Sequence, residues 1–175
     1  AWYYTPMMLT FSRHLESDAI VYDCMDELSK FKFAPEKLLD LEAELLERAS
    51  VVFTGGSSLY EAKKDRHDNV HCFPSSVDRE HFSRARNTLA EPDDQAPLKR
   101  PRLGFYGVID ERFDIDLLRQ IADMRPDWSF VMVGPVVKIS DDDLPRAANI
   151  HYVGGKTYVQ LPAYLSGWDV ALMPF

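Results

Sequence analysis

Two cysteines in 175 residues, Cys24 and Cys72, are too few for a disulfide framework, and they read as free thiols of a reducing compartment. No stretch approaches the ~20 apolar residues that a membrane-spanning helix needs. Positive charge is also short: 20 Lys and Arg face 28 Asp and Glu, a formal charge of −8. That balance argues against a nucleic-acid partner, whose affinity rests on neutralising phosphates, although it allows a nucleotide in a local site. His67, His71, His81 and His151 show no metal-ligand spacing with the cysteines. There is no initiating Met and no leader pattern, and "AWYYTPMML" reads as the middle of a longer chain.

What is present is alternation of strand and helix. A strand reads at 18–22 (DAIVY) and runs into the polar cluster "DCMDE". Leu38, Leu41 and Leu45, with Leu39 and Leu46, predict a helix starting near Pro35, with Glu44 placed four residues before Arg48. "SVVFTGG", "SSLYEAKKDR" capped by Ser57 or Ser58, and "NVHCFP" continue as strand, helix and strand. This is the arithmetic of parallel βαβ units.

Residues 84–100 carry prolines and charges without a period and read as a linker. Alternation then resumes with strands at 102–106, 129–133, 149–153 and 169–173, and helices near 114–124 and 161–166. The expected fold class is α/β, with two Rossmann-like βα-alternating blocks at 1–83 and 101–175 joined by the 84–100 linker.

Three stretches resemble GT-B fold glycosyltransferases of the group 1, family 4-like type found in bacterial envelope and exopolysaccharide synthesis. "ASVVFTGGSSLYEAK" is similar to a first-domain strand and helix, and "FPSSVDREHF" to the segment that closes that domain. "NIHYVGGKTYVQLPAYLSGWDVALMPF" resembles the second-domain run of strand, glycine, Leu-rich helix and Asp-Val strand. The resemblance implies that 1–83 is the later part of an acceptor domain and 101–175 the first part of a donor domain, both cut short. It also implies a cytoplasmic enzyme that moves a sugar from a nucleotide-sugar donor to a glycan or lipid-linked acceptor, with no cofactor and no metal. Two alternatives are a two-lobed small-solute-binding protein and a dinucleotide-dependent oxidoreductase. The latter fails at its most informative positions, because "GFYGVIDE" does not make G-x-G-x-x-G.

Candidate donor-binding residues lie at strand ends. Gly107, Gly134 and Gly154 should converge on the carboxyl edge of one sheet, where open α/β sheets bind ligands. After Gly107, the amides of Val108, Ile109 and Asp110 could face a diphosphate. Retaining relatives place an Arg directly after this glycine and a Lys further on; here those positions hold Val108 and Asp114. The loop also carries Asp110, Glu111, Asp114 and Asp116, so a compensating cation must come from Arg112, from Lys138 or from elsewhere. Asp114 can instead cap the next helix, and Lys138 can simply be solvated. Tyr158 can stack on a nucleobase or pack against Trp168.

In the first block, Asp26 or Asp23 is the candidate base for an acceptor hydroxyl, with a turn-capping role as the plain alternative for Asp26. The basic islands "KKDRH" (63–67) and "LKRPR" (98–102) are solvated faces or, in a peripheral contact with the inner membrane, partners for anionic lipid.

Overall fold

The computed structural model, which describes all 175 residues, divides at Ser76 and Val77 into two units. In the first, β1 (Trp2–Tyr3), β2 (Val21–Cys24), β3 (Val51–Thr54) and β4 (Val70–Cys72) form a parallel sheet in sequence order. Between them run α1 (Leu9–Ser12), α2 (Leu38–Arg48) and α3 (Ser57–Lys63). Most of the leucine stripe packs inward: Leu41, Leu45 and Leu46 cluster with Tyr3, Tyr22 and Val52, and Leu38 is buried, whereas Leu39, placed in the stripe by the sequence, is exposed because it falls on the opposite side of the helix. Full burial of each such side chain stabilises the unit by about 1.5–3 kcal/mol.

Three local expectations shift. The strand expected at 18–22 lies at Val21–Cys24, so Asp23 and Cys24 of the polar cluster belong to it. Pro35 lies before α2, in a turn where Leu38 N–H donates to its carbonyl at 2.9 Å. Gly56, rather than a serine, is the N-cap of α3. Glu44 and Arg48 pair as predicted, and Arg13 adds a second ion pair to Glu44 at 2.6 Å.

The second unit begins with α4 (Arg79–Ser83), whose N-cap Asp78 accepts from the His81 amide. The sheet follows: β5 (Arg102–Tyr106), β6 (Ser129–Val133), β7 (Ile150–Gly154) and β8 (Val170–Ala171), all parallel, in the order β7-β6-β5-β8. Between β5 and β6 runs α5 (Ile115–Met124), and before β8 comes α6 (Leu161–Ser166). All five residues of β6 are buried, as a central parallel strand covered on both faces requires. Going from β5 to β7 the chain steps one way across the sheet; for β8 it returns to the other side of β5. The topological switch point is therefore at β5 and β8, and ligands of such sheets bind outside the carboxyl ends there.

The boundary lies earlier than the predicted linker, and residues 84–100 are not a free tether. Gln95 is fully buried, donates to the Tyr164 carbonyl at 3.1 Å and accepts from Trp168 Nε1 at 2.8 Å. Arg102 donates to the carbonyls of Leu98 and Ala96 and pairs with Glu91 at 2.9 Å. Polar, proline-rich composition concealed this packing because the partners lie some 70 residues later in the chain.

Candidate donor site at the carboxyl edge of the second sheet

The three glycines do converge. Gly134 N–H donates to the Gly154 carbonyl at 3.0 Å, and Gly107 N–H to the Val133 carbonyl at 2.9 Å. A Cβ on Gly134 would overlap the Gly107 carbonyl oxygen, and its φ of +148° is open to glycine and strained for other residues. The loops after β5 and β6 continue side by side: Ile109 N–H donates to the Pro135 carbonyl and Val137 N–H to the Ile109 carbonyl, both at 3.0 Å. The Ile109 amide is thus engaged within the fold and cannot face a phosphate as expected. Of the three amides considered, Val108 and Asp110 make no such backbone bond.

Each carboxylate of the acidic loop has a role inside the fold. Asp110, 2% exposed, holds Arg112 through both carboxylate oxygens, with Nη2 at 2.7 Å. The hydrogen bond from Arg112 keeps the Asp110 carboxyl below its usual range, against the opposing effect of burial. Glu111 has a buried side chain whose Oε1 lies 3.3 Å from Lys138 Nζ. Asp114 caps α5 by accepting from the Leu117 amide at 2.8 Å, the role it was assigned as an alternative. Asp116 pairs with Arg119 one turn on, at 2.5 Å.

The two cations predicted to offset a diphosphate each pair with a carboxylate of the acidic loop. Arg112 is held by Asp110, and Lys138 reaches Glu111 from a left-handed backbone with φ +62°. Three of the four carboxylates thus have a cation beside them and Asp114 has a helix N-terminus, which offsets their mutual repulsion.

A different lysine lines the edge. A cavity of about 220 Å³ is bounded by Tyr106, Gly107, Val108, Gly134, Pro135, Gly155, Lys156 and Leu161. Lys156 Nζ pairs with Asp94 at 2.7 Å, and Asp94 accepts from the Tyr164 hydroxyl at 2.6 Å. The hydrogen bond to Asp94 holds the Lys156 ammonium above its ordinary range, so it stays charged at neutral pH. The local sequence did contain a signal, since "VGGK" puts this lysine two residues beyond Gly154, but its partner lies 62 residues away. A second hollow, of about 430 Å³, shares Gly134, Pro135 and Gly155 and extends to Arg146 and Tyr152.

Tyr158 is half-exposed and stacks on His81, with ring centroids 4.1 Å apart. His81 Nε2 also lies 2.9 Å from the Tyr158 carbonyl oxygen. The packing against Trp168, one of the two alternatives for Tyr158, does not occur. Trp168 lies instead over Gly104, where any Cβ would strike the indole, and it is fixed by Gln95.

In the first unit Asp23 lies within β2, not beyond it, and accepts from Trp2 Nε1 at 3.2 Å. Asp26 follows the strand on an exposed turn, where its carbonyl accepts weakly from the Cys24 thiol at 3.6 Å. Burial pushes that thiol above its ordinary range. The "KKDRH" island is consumed: Lys63 is buried, Lys64 pairs with Glu61 and Arg66 with Glu42. In "LKRPR", Arg100 pairs with Asp169 and Arg102 with Glu91. No group of three or more His, Cys, Asp or Glu side chains is arranged to hold a metal ion. No helix is long and apolar enough to cross a membrane.

No family model matches the chain. The chain is 25% identical, over 99% of its length, to the putative teichuronic acid biosynthesis glycosyltransferase TuaH of Bacillus subtilis. Among solved structures, Anabaena HepE in complex with UDP and glucose superposes with a TM-score of 0.67 at 15% identity, over 95% of this chain. Sucrose-phosphate synthase from Thermosynechococcus elongatus superposes with a TM-score of 0.65 at 19% identity, over 97% of this chain. The chain spans about half the length of each, 48%, 48% and 49% respectively. The fold is that of the two Rossmann-like halves of GT-B glycosyltransferases.

Proposed function

We propose that the protein carrying this chain is a glycosyltransferase that moves a sugar from a nucleoside-diphosphate donor to a glycan or lipid-linked acceptor in polysaccharide biosynthesis. The observation that carries this reading is the glycine-lined carboxyl edge of the second sheet. Gly107, Gly134 and Gly154 meet there beside a cavity lined by a charged lysine. The likeness to TuaH and the GT-B fold support the same reading. HepE is known in complex with UDP and with UDP-glucose, which makes UDP the first nucleotide to test.

In this reading the donor diphosphate lies across Gly107 and Gly134, with the amides of Val108 and Asp110 and the Lys156 ammonium facing it. The acceptor hydroxyl attacks the anomeric carbon, the bond from that carbon to the phosphate oxygen breaks, and the nucleoside diphosphate leaves with the electron pair. Positioned donors at the departing oxygens supply most of the stabilisation. Asp26, exposed at the end of β2, takes the hydroxyl proton. The reading includes transfer without a bound metal and a cytoplasmic location that suits two unpaired cysteines. Membrane contact is not part of the reading, since most charges of the two basic islands are paired within the fold.

The test is calorimetric titration of the complete protein with UDP, GDP and ADP, with wild-type and Lys156→Ala protein compared. Binding of one of these, weakened roughly 10- to 100-fold by the substitution, is expected for loss of a charge-assisted hydrogen bond. Equal affinity in both proteins would move the diphosphate elsewhere.

A further inference from the structure

Glu42 interrupts the apolar stripe of α2, between Leu41 and Leu45, and it is buried. Its Oε2 accepts from Lys63 Nζ at 2.8 Å and from Arg66 Nη1 at 3.0 Å, and its Oε1 from the Tyr22 hydroxyl at 3.0 Å. Lys63, the last residue of α3, is 1% exposed and reaches a second carboxylate, Glu27 Oε1, at 2.9 Å. Two cations and two carboxylates thus balance inside the first unit. Burial opposes the Lys63 ammonium, but its bonds to Glu42 and Glu27 outweigh that and keep it charged.

Such a cluster is a poor way to gain stability. Removing ions from water costs several kcal/mol each, and well-packed apolar residues of similar volume often do as well or better. What the cluster provides is a fixed geometry, and the element it fixes is specific. Glu42 and Lys63 belong to the helical layer, whereas Glu27 belongs to the turn that follows β2, one residue after Asp26. The same turn has one further attachment and one internal bond. Gly55 N–H donates to the Cys24 carbonyl at 2.9 Å, and a Cβ on Gly55 would press on the Met25 carbonyl at 3.1 Å. Ser29 Oγ donates to Glu27 Oε1 at 3.3 Å.

We propose that Lys63 and Glu27 are positioning residues: the buried Lys63 ammonium, anchored on Glu42, grips Glu27 and so holds the Asp26-bearing turn in one conformation. The catalytic part of this proposal rests on the functional reading above; the grip itself does not. Glu27→Ala is the informative substitution, because it removes the acceptor and with it the grip, while Lys63 keeps Glu42. Lys63→Met would leave carboxylates buried without their ammonium and risks the fold.

The experiment compares wild-type and Glu27→Ala in the complete protein by hydrogen exchange and by steady-state transfer kinetics. Amides of residues 25–30 should exchange at least 10-fold faster in the variant, with those of α2 and α3 unchanged. In transfer, kcat should fall 10-fold or more while the donor KM stays within 2-fold, a split that general loss of structure would not produce. Unchanged exchange over 25–30 would overturn the grip. Faster exchange with unchanged kcat would overturn the positioning role. Absence of transfer by the wild-type protein would instead overturn the glycosyltransferase reading, and the exchange comparison would still decide the grip.

Discussion

Gly134→Ala is the sharpest perturbation of the donor edge. The new methyl carbon would fall on the Gly107 carbonyl oxygen, so the loops after β5 and β6 must part. Parting them breaks the two hydrogen bonds that join them, Ile109 to Pro135 and Val137 to Ile109. Each contributes about 1 kcal/mol net. The alanine must also adopt a glycine-type backbone at φ +148°, a further cost of about 1–3 kcal/mol. The expected destabilisation is about 3 kcal/mol or more, with the melting temperature of the second unit falling on the order of 12 °C or more. Urea and thermal unfolding of wild-type and variant measure this directly, with nucleotide binding followed on the fraction that remains folded. A variant within 0.5 kcal/mol of wild type would refute the close approach of Gly134 to Gly107 and, with it, the geometry assigned to the site.

Other expectations follow from single contacts. Lys156→Ala should weaken nucleoside-diphosphate binding more than Lys138→Ala, because Lys156 lines the glycine-edged cavity while Lys138 reaches Glu111; titration at low salt, where screening is least, gives the largest contrast. Asp26→Asn should lower kcat far more than donor affinity, and unchanged turnover would remove Asp26 from the chemistry. Glu42 is held below its ordinary carboxyl value of 4.5 because its bonds from Lys63, Tyr22 and Arg66 outweigh the opposing effect of burial. Its contribution to stability is therefore present above about pH 4.5 and is lost as pH falls through the lower folded value. Urea unfolding across that range should show a shallower acid slope for Glu42→Gln than for wild type, and equal slopes would contradict the assignment.

What the sequence disclosed was what local chemistry decides. Asp114 followed by an apolar period was enough to place α5 and its cap, and the buried runs at 102–106 and 129–133 were enough to place β5 and β6. Recurring glycines at strand ends located the edge where the loops meet. What stayed hidden depended on distant partners. Residues 84–100 look like a tether until Gln95 is seen between Tyr164 and Trp168. The pairing of Arg112 with Asp110 and of Lys138 with Glu111 is not visible in the sequence, and Lys156 gains its setting only from Asp94 and Tyr164. The buried ion cluster did leave a trace, a glutamate in the middle of the leucine stripe of α2, which only a buried cation could balance. Short elements such as β1 and α4 were missed because two to five residues carry too little periodicity to stand out.

The central claim is that a nucleoside diphosphate binds at the carboxyl edge of the second sheet. Hydrogen exchange of the complete protein with and without saturating UDP, and with GDP and ADP in parallel, tests it most directly. The account predicts that one nucleotide slows exchange at residues 107–110, 134–137 and 154–157, and leaves the amides of α2 and α3 as they were. Protection elsewhere with none at these three loops, or no protection by any of the nucleotides, would contradict it.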